Sequence, residues 1–253
     1  MKRRSLVAIG LGAYVLGVIA TAPATLLDAG LQRASHGRLR LAEAQGTLWS
    51  GSGQIEIRDP RGQTGVTKSL AWRVLPQSLL RGHLVCEVRL EQATRGFPVT
   101  LSPSRIGLAD VDIRLPATVL GLGVPKLAPL GLTGEVLIHV ANLSIAREAM
   151  EGNATLQWRA AGSALTPVSP LGDYELNLEA KGATVHVLLR TIQGPLQLEG
   201  KGSWANGDNL DFLAIARVPP QHQQQLGPLL RLIAVERSAG SFELQQLQQL
   251  QLK

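Results

Sequence analysis

The sequence predicts a mainly β protein in which one N-terminal transmembrane helix precedes a twisted, curved antiparallel β-sheet domain with a few short helices. Three observations carry that prediction. Residues Ser5 to Leu27 form one uncharged run, the rest of the chain alternates apolar and polar residues again and again, and turn formers punctuate the alternation. The 253 residues are 45% hydrophobic and 17% charged, with 27 glycines and 14 prolines. That is too apolar for disorder and too rich in turn formers for a helical bundle.

The N-terminal run SLVAIGLGAYVLGVIATAPATLL follows Lys2, Arg3 and Arg4. As a helix it would span about 35 Å, enough for a hydrocarbon core of about 30 Å. The basic cluster before it keeps the N-terminus cytoplasmic and sends the rest of the chain across the membrane. Residues 1–4 are thus read as a cytoplasmic tail, 5–27 as the span, 28–38 as a linker and 39–253 as a periplasmic β domain. Two fates are open for the span. Ala20-Thr21-Ala22 and Ala22-Pro23-Ala24 satisfy the small-x-small rule for leader cleavage. Pro23 and the length of the apolar run favour retention. Gly10, Ala13, Gly17 and Ala20 fall on one helical face, where small residues would let a second membrane helix approach closely.

Beyond residue 39, segments such as QIEIR, HLVCEVRLE, ADVDIRL, GEVLIHV, ATLQWRA and DYELNLEA have a period of two. Period two buries one face and wets the other, as antiparallel sheet requires. About a dozen strands are expected. Short helices are expected at PQSLLRG (76–82) and PATVLGL (116–122), each opening on proline and ending near glycine. A longer one is expected over 219–234, broken or kinked at Gly227-Pro228. The end, SFELQQLQQLQLK, begins as a strand with Phe242 and Leu244 on one face, and a helix using Leu244, Leu247 and Leu250 is the rival reading of the rest. A weak internal repeat relates Leu70-x-Trp72-Arg73 to Leu156-x-Trp158-Arg159, and QGTLWSGSG near Trp49 to EGKGSWANG near Trp204.

Charge and motif exclude several function classes. Lys2, Arg3 and Arg4 supply three of the 25 basic residues, leaving 22 against 19 acidic ones from Ser5 onward. That balance is too even for nucleic-acid binding. The single Cys86 rules out an intramolecular disulfide and a multi-cysteine metal site, and reads as a small buried hydrophobe. His36, His83, His139, His186 and His222 lie no closer than 36 positions apart and form no HExxH pair. Asp110 and Asp112 share a strand face, and a solvated face is the expected role. Around Trp49 no lysine or helix follows the glycines, so neither a phosphate loop nor a dinucleotide fingerprint is present. QGTLWSGSGQIEI reads as a hairpin with its turn at Ser50 to Gly53. Catalysis, cofactor and metal are not expected.

In order along the chain, LRLAEAQGTLWSGSGQIEI, LAWRVLPQSLLRGHLVCEVRLE, PLGLTGEVLIHVANLSI, GPLQLEGKGSWANGDNLDFLAIARV and LGPLLRLIA resemble the type II secretion system protein N family. The positions that carry the resemblance are Gly46, Trp49, Gly51, Gly53, Trp72, Pro76, Gly82, Gly134, Gly200 and Trp204. The glutamine-rich end departs from the family pattern. The resemblance implies a non-catalytic inner-membrane accessory of the machine that exports folded proteins. Implied partners are the inner-membrane platform, the clamp-like protein C and the outer-membrane secretin. A wider likeness, to AsmA-like envelope proteins, implies the alternative of an apolar β groove that binds or conducts lipid.

Overall fold

The computed structural model of the chain describes residues 10–11, 13–14, 17–58, 65–91, 95–205, 211–238 and 240–245. Two compact units divide at Glu91 and Gln92. The first contains α1 (Thr25–Ala34), β1 (Leu39–Gly46), β2 (Ser50–Ile57), β3 (Val66–Leu75), a 3-10 helix (Pro76–Arg81) and β4 (Leu84–Leu90). Its strands pair antiparallel in sequence order. Its core is Ala24, Leu41 and Trp72, with Leu27 and Leu31 of α1 and Cys86 of β4 packed against them.

The second unit opens with β5 (Phe97–Ser102), β6 (Arg105–Pro116), α2 (Thr118–Gly123) and a 3-10 helix (Pro125–Leu130). It continues through β7 (Leu132–Ala146), β8 (Met150–Ser163), β9 (Gly172–Gly182), β10 (Thr184–Gln193), β11 (Gln197–Ala205) and β12 (Asp211–Arg217). A 3-10 turn (Pro220–His222), α3 (Gln223–Arg231), β13 (Val235–Ser238) and β14 (Ser241–Gln245) complete it. Each strand from β5 to β12 pairs antiparallel with its sequence neighbour, and β14 lies between β12 and β13.

Alternation sorts the side chains of this unit cleanly. Register aligns Ile138 with Leu156, Leu156 with Leu176 and Leu176 with Leu189 on one face. Gln157, Glu175 and Arg190 align on the other. From β5 to β12 the first face carries no charged side chain among the described residues. At one end of it Leu226, Leu229 and Leu230 of α3, with Leu130 and Ala117, seal a core on Val136, Ala216 and Phe242.

Mainly antiparallel β structure with few short helices is therefore the fold class. Among the described residues no helix is long and apolar enough to cross a membrane. Positions 5–9, 12, 15 and 16 of the expected span lie outside the described residues. Residues 17–20 are helical, but the backbone leaves the helix by Ala22, and Leu26 and Leu27 belong to α1. Residues 28–34 of the expected linker lie in α1. Helix α3 also runs through Gly227-Pro228 unbroken. Proline removes one ladder hydrogen bond there, and the carbonyl of Gln225 in the same stretch accepts from the Thr166 hydroxyl at 3.3 Å.

Candidate functional site

The stretch from Gln45 to Gly53 folds as a hairpin, but its turn is Thr47-Leu48-Trp49 rather than Ser50 to Gly53. Thr47 N–H donates to the Ser50 carbonyl at 2.9 Å, and the Thr47 hydroxyl accepts from the Trp49 and Ser50 amides at 3.3 Å. The positive-φ residue is Gly46, at 93°, where a side chain would meet the Ser50 carbonyl at 2.5 Å. Gly51 and Gly53 sit inside β2. A Cβ at Gly51 would collide with the Gln45 carbonyl and with the Trp72 ring at 2.5 Å, and one at Gly53 would press on the Ala42 carbonyl at 3.0 Å. Close approach, not turn geometry, demands these glycines.

This hairpin receives the end of the N-terminal segment. Trp49 Nε1 donates to the Ile19 carbonyl at 2.9 Å, Leu48 N–H to Ala22 at 2.8 Å, and Ala24 N–H to Gly46 at 3.2 Å. Pro23 forms a bridge with Thr47. Beneath the hairpin Trp72 is buried and its Nε1 donates to the Thr47 carbonyl at 3.2 Å. Trp49 itself is half-buried and works as a donor to the incoming segment.

The second unit repeats the arrangement. Trp158 Nε1 donates to the Thr133 carbonyl at 2.9 Å, and Ala117 N–H to Gly134 at 3.0 Å. Gly134 has φ of 103°, and a Cβ there would meet the Arg159 carbonyl at 2.5 Å. Pro23-Ala24-Thr25 and Pro116-Ala117-Thr118 are the same tripeptide, and both alanines are buried before a helix. That tripeptide was a legible signal of the repeat, beside the Leu-x-Trp-Arg pair. The other echo fails. Trp204 lies within β11, paired with Val185, and Gly200 gives room to Ala214 and Phe212 of β12. Pro76 opens a 3-10 helix and Gly82, at φ 75°, closes it. Gly10, Ala13, Gly17 and Ala20 are all exposed.

The polar groups of the second unit largely satisfy one another. Glu175 is buried, and its carboxylate accepts from Arg190 Nη2 at 2.6 Å, Asn177 at 2.9 Å and Gln157 at 2.9 Å. The Asn177 amide first, then Gln157 and Arg190, hold that carboxyl below the usual range against the opposing cost of burial. Asp173 is lowered chiefly by the Ala160 amide, 2.7 Å away. In the first unit Asp28 is lowered chiefly by Gln32 and also accepts the Leu41 amide at 2.8 Å. Asp112 and His139 meet at 2.7 Å on an exposed face, whereas Asp110 adopts a φ of 51°. Burial raises the Cys86 thiol. Among the described residues no three His, Cys, Asp or Glu side chains could together hold a metal ion.

The sequence model of the family described as type II secretion system (T2SS), protein N, matches residues 37–245. No curated protein and no solved structure matches the chain. The family match begins just before β1 and ends at the last residue of β14, so it takes in every strand described above. The chain belongs to the type II secretion system protein N family and is a component of that secretion system.

Proposed function

We propose that the chain is a non-catalytic, accessory structural component of type II secretion. In this reading its N-terminal segment holds it in the inner membrane, its β units stand in the periplasm, and it aids export of folded proteins across the outer membrane. The partners proposed are the inner-membrane platform, protein C and the secretin. The observation that carries the reading, beside family membership, is the clasp at residues 19–24. Both small-x-small sites lie in it. Cleavage at either would remove the Ile19 and Ala22 carbonyls that Trp49 and Leu48 bond, and cleavage after Ala24 would also take away a buried core residue. That favours a segment that is kept.

The test is a chromosomal deletion combined with affinity capture of the full-length protein from detergent-solubilised membranes. Loss of exoprotein release and recovery of other secretion components support the reading. Normal release with no secretion component recovered rejects it. Alkaline extraction that leaves the protein in the membrane pellet supports the anchor separately.

A second reading is favoured by one observation, the charge-free face that runs from β5 to β12. Such a face suits an acyl chain. Purified full-length protein that yields no lipid on organic extraction would dismiss it.

A further inference from the structure

One end of the first unit gathers apolar side chains that the unit leaves open. Leu75, last in β3, is 41% exposed, Leu79 in the following 3-10 helix 46%, and Leu26 at the start of α1 54%. Hydrogen bonding places all three at the hairpin end. Val74 N–H donates to the Trp49 carbonyl at 2.7 Å. Ser78 Oγ donates to the Leu75 carbonyl at 2.6 Å and accepts from Val85 N–H at 2.9 Å, which folds the 3-10 helix back over that end. Leu26 N–H bonds the Pro23 carbonyl at 3.2 Å, beside the Pro23–Thr47 bridge.

The apolar N-terminal segment arrives at the same place. Ile19 accepts from the Trp49 indole, and Val18 and Ile19 are themselves about half exposed. Clustered leucines on a folded unit mark a contact surface. A half-buried tryptophan with its polar edge bonded, at an end of the unit that also carries exposed leucines, is the composition found at the level of lipid headgroups.

We infer that this end of the first unit is a lipid-facing surface that rests on the bilayer where the N-terminal segment emerges, with Leu26, Leu75 and Leu79 dipping into the interface. The inference rests on the anchored reading and adds to it which surface faces the membrane. Lipid, not a protein, is the occupant because the three exposed leucines, from separate elements, lie at the end of the unit where an apolar run of the same chain arrives.

The test uses the full chain with Cys86→Ala, labelled with an environment-sensitive fluorophore through Leu79→Cys, in nanodiscs with or without brominated phospholipid. A label at Thr67→Cys, on the opposite end of β3, is the control. Thermal melts of both labelled proteins establish that they are folded. Loss of fluorescence at position 79 but not at 67 supports the inference. Equal quenching at both positions, or none at 79 in protein embedded in the disc, overturns it while the anchor stands. A label at 79 that is shielded from water yet unquenched also overturns it, in favour of contact with a second copy. If the protein fails to enter discs the anchored reading falls, and flotation with vesicles then decides the surface alone. Comigration supports it, and its absence overturns both.

Discussion

Trp72 and Thr47 are joined by a hydrogen bond from the indole Nε1 to the main-chain carbonyl, 3.2 Å long, across 25 positions of sequence. Trp158 and Thr133 repeat it at 2.9 Å across the same 25 positions. In each case a buried alanine of a Pro-Ala-Thr corner bonds a carbonyl of the adjoining turn or strand. The two units are thus built on one local device.

Replacing Trp72 by phenylalanine keeps most of the ring and removes the donor, at an expected cost of about 1 kcal/mol. Trp72→Ala adds a cavity and should cost about 3–5 kcal/mol. Urea unfolding of the full chain reads both. Equal effects of the two substitutions would mean that packing of the ring contributes nothing.

Gly46→Ala forces a side chain into a positive-φ position and should cost about 1–3 kcal/mol. Gly51→Val meets both the Gln45 carbonyl and the Trp72 ring, and should cost as much or more, with loss of near-ultraviolet tryptophan signal. Secretion should fail only in variants that are also destabilised. A variant that stays fully folded and fails in secretion would mark the hairpin as a contact surface.

Glu175 gives the acid dependence a sign. Its folded pKa is lowered from 4.5, so its contribution to stability is present above that value and is lost as pH falls through the lowered folded value. Asp28 and Asp173 act in the same direction from 3.8. Glu175→Gln should cost about 1–3 kcal/mol at neutral pH and flatten the loss of stability below pH 4.5. Melting temperatures across a pH series measure this. An unchanged slope would remove Glu175 from the account.

Asp28 covers the open edge of β1 by accepting the Leu41 amide, and Ser35 Oγ accepts the Leu39 amide at 2.9 Å. Unprotected edges invite pairing with other chains. Asp28→Ala should leave the Leu41 amide unpaired at a cost of about 1–2 kcal/mol. Hydrogen exchange at Leu41 should quicken, and the variant should aggregate more readily. Unchanged exchange would mean that α1 holds its place through Leu27 and Leu31 alone.

The strands were legible because period two in QIEIR or DYELNLEA is imposed by the pleat itself, and a strand with one dry face can be written in few other ways. The order of the motifs was enough to point to the family, and PQSLLRG revealed its short helix through its proline and glycine. The reading of QGTLWSGSG as a hairpin also held. What the sequence could not fix was which glycines turn the chain and which make room. Gly51 is small because of Gln45 across a bulge and Trp72 on the next strand, contacts that exist only after pairing. The same holds for α1, which is set by Asp28 bonding β1 and by Leu27 and Leu31 packing against the core of Ala24, Leu41 and Trp72. It holds too for Trp49, legible in one dimension as a family marker but not as a donor, which the fold brings 30 positions back to the carbonyl of Ile19. Alternation is a property of each strand alone and survives in the sequence; these partners are set by distance through space and only the tertiary structure could name them.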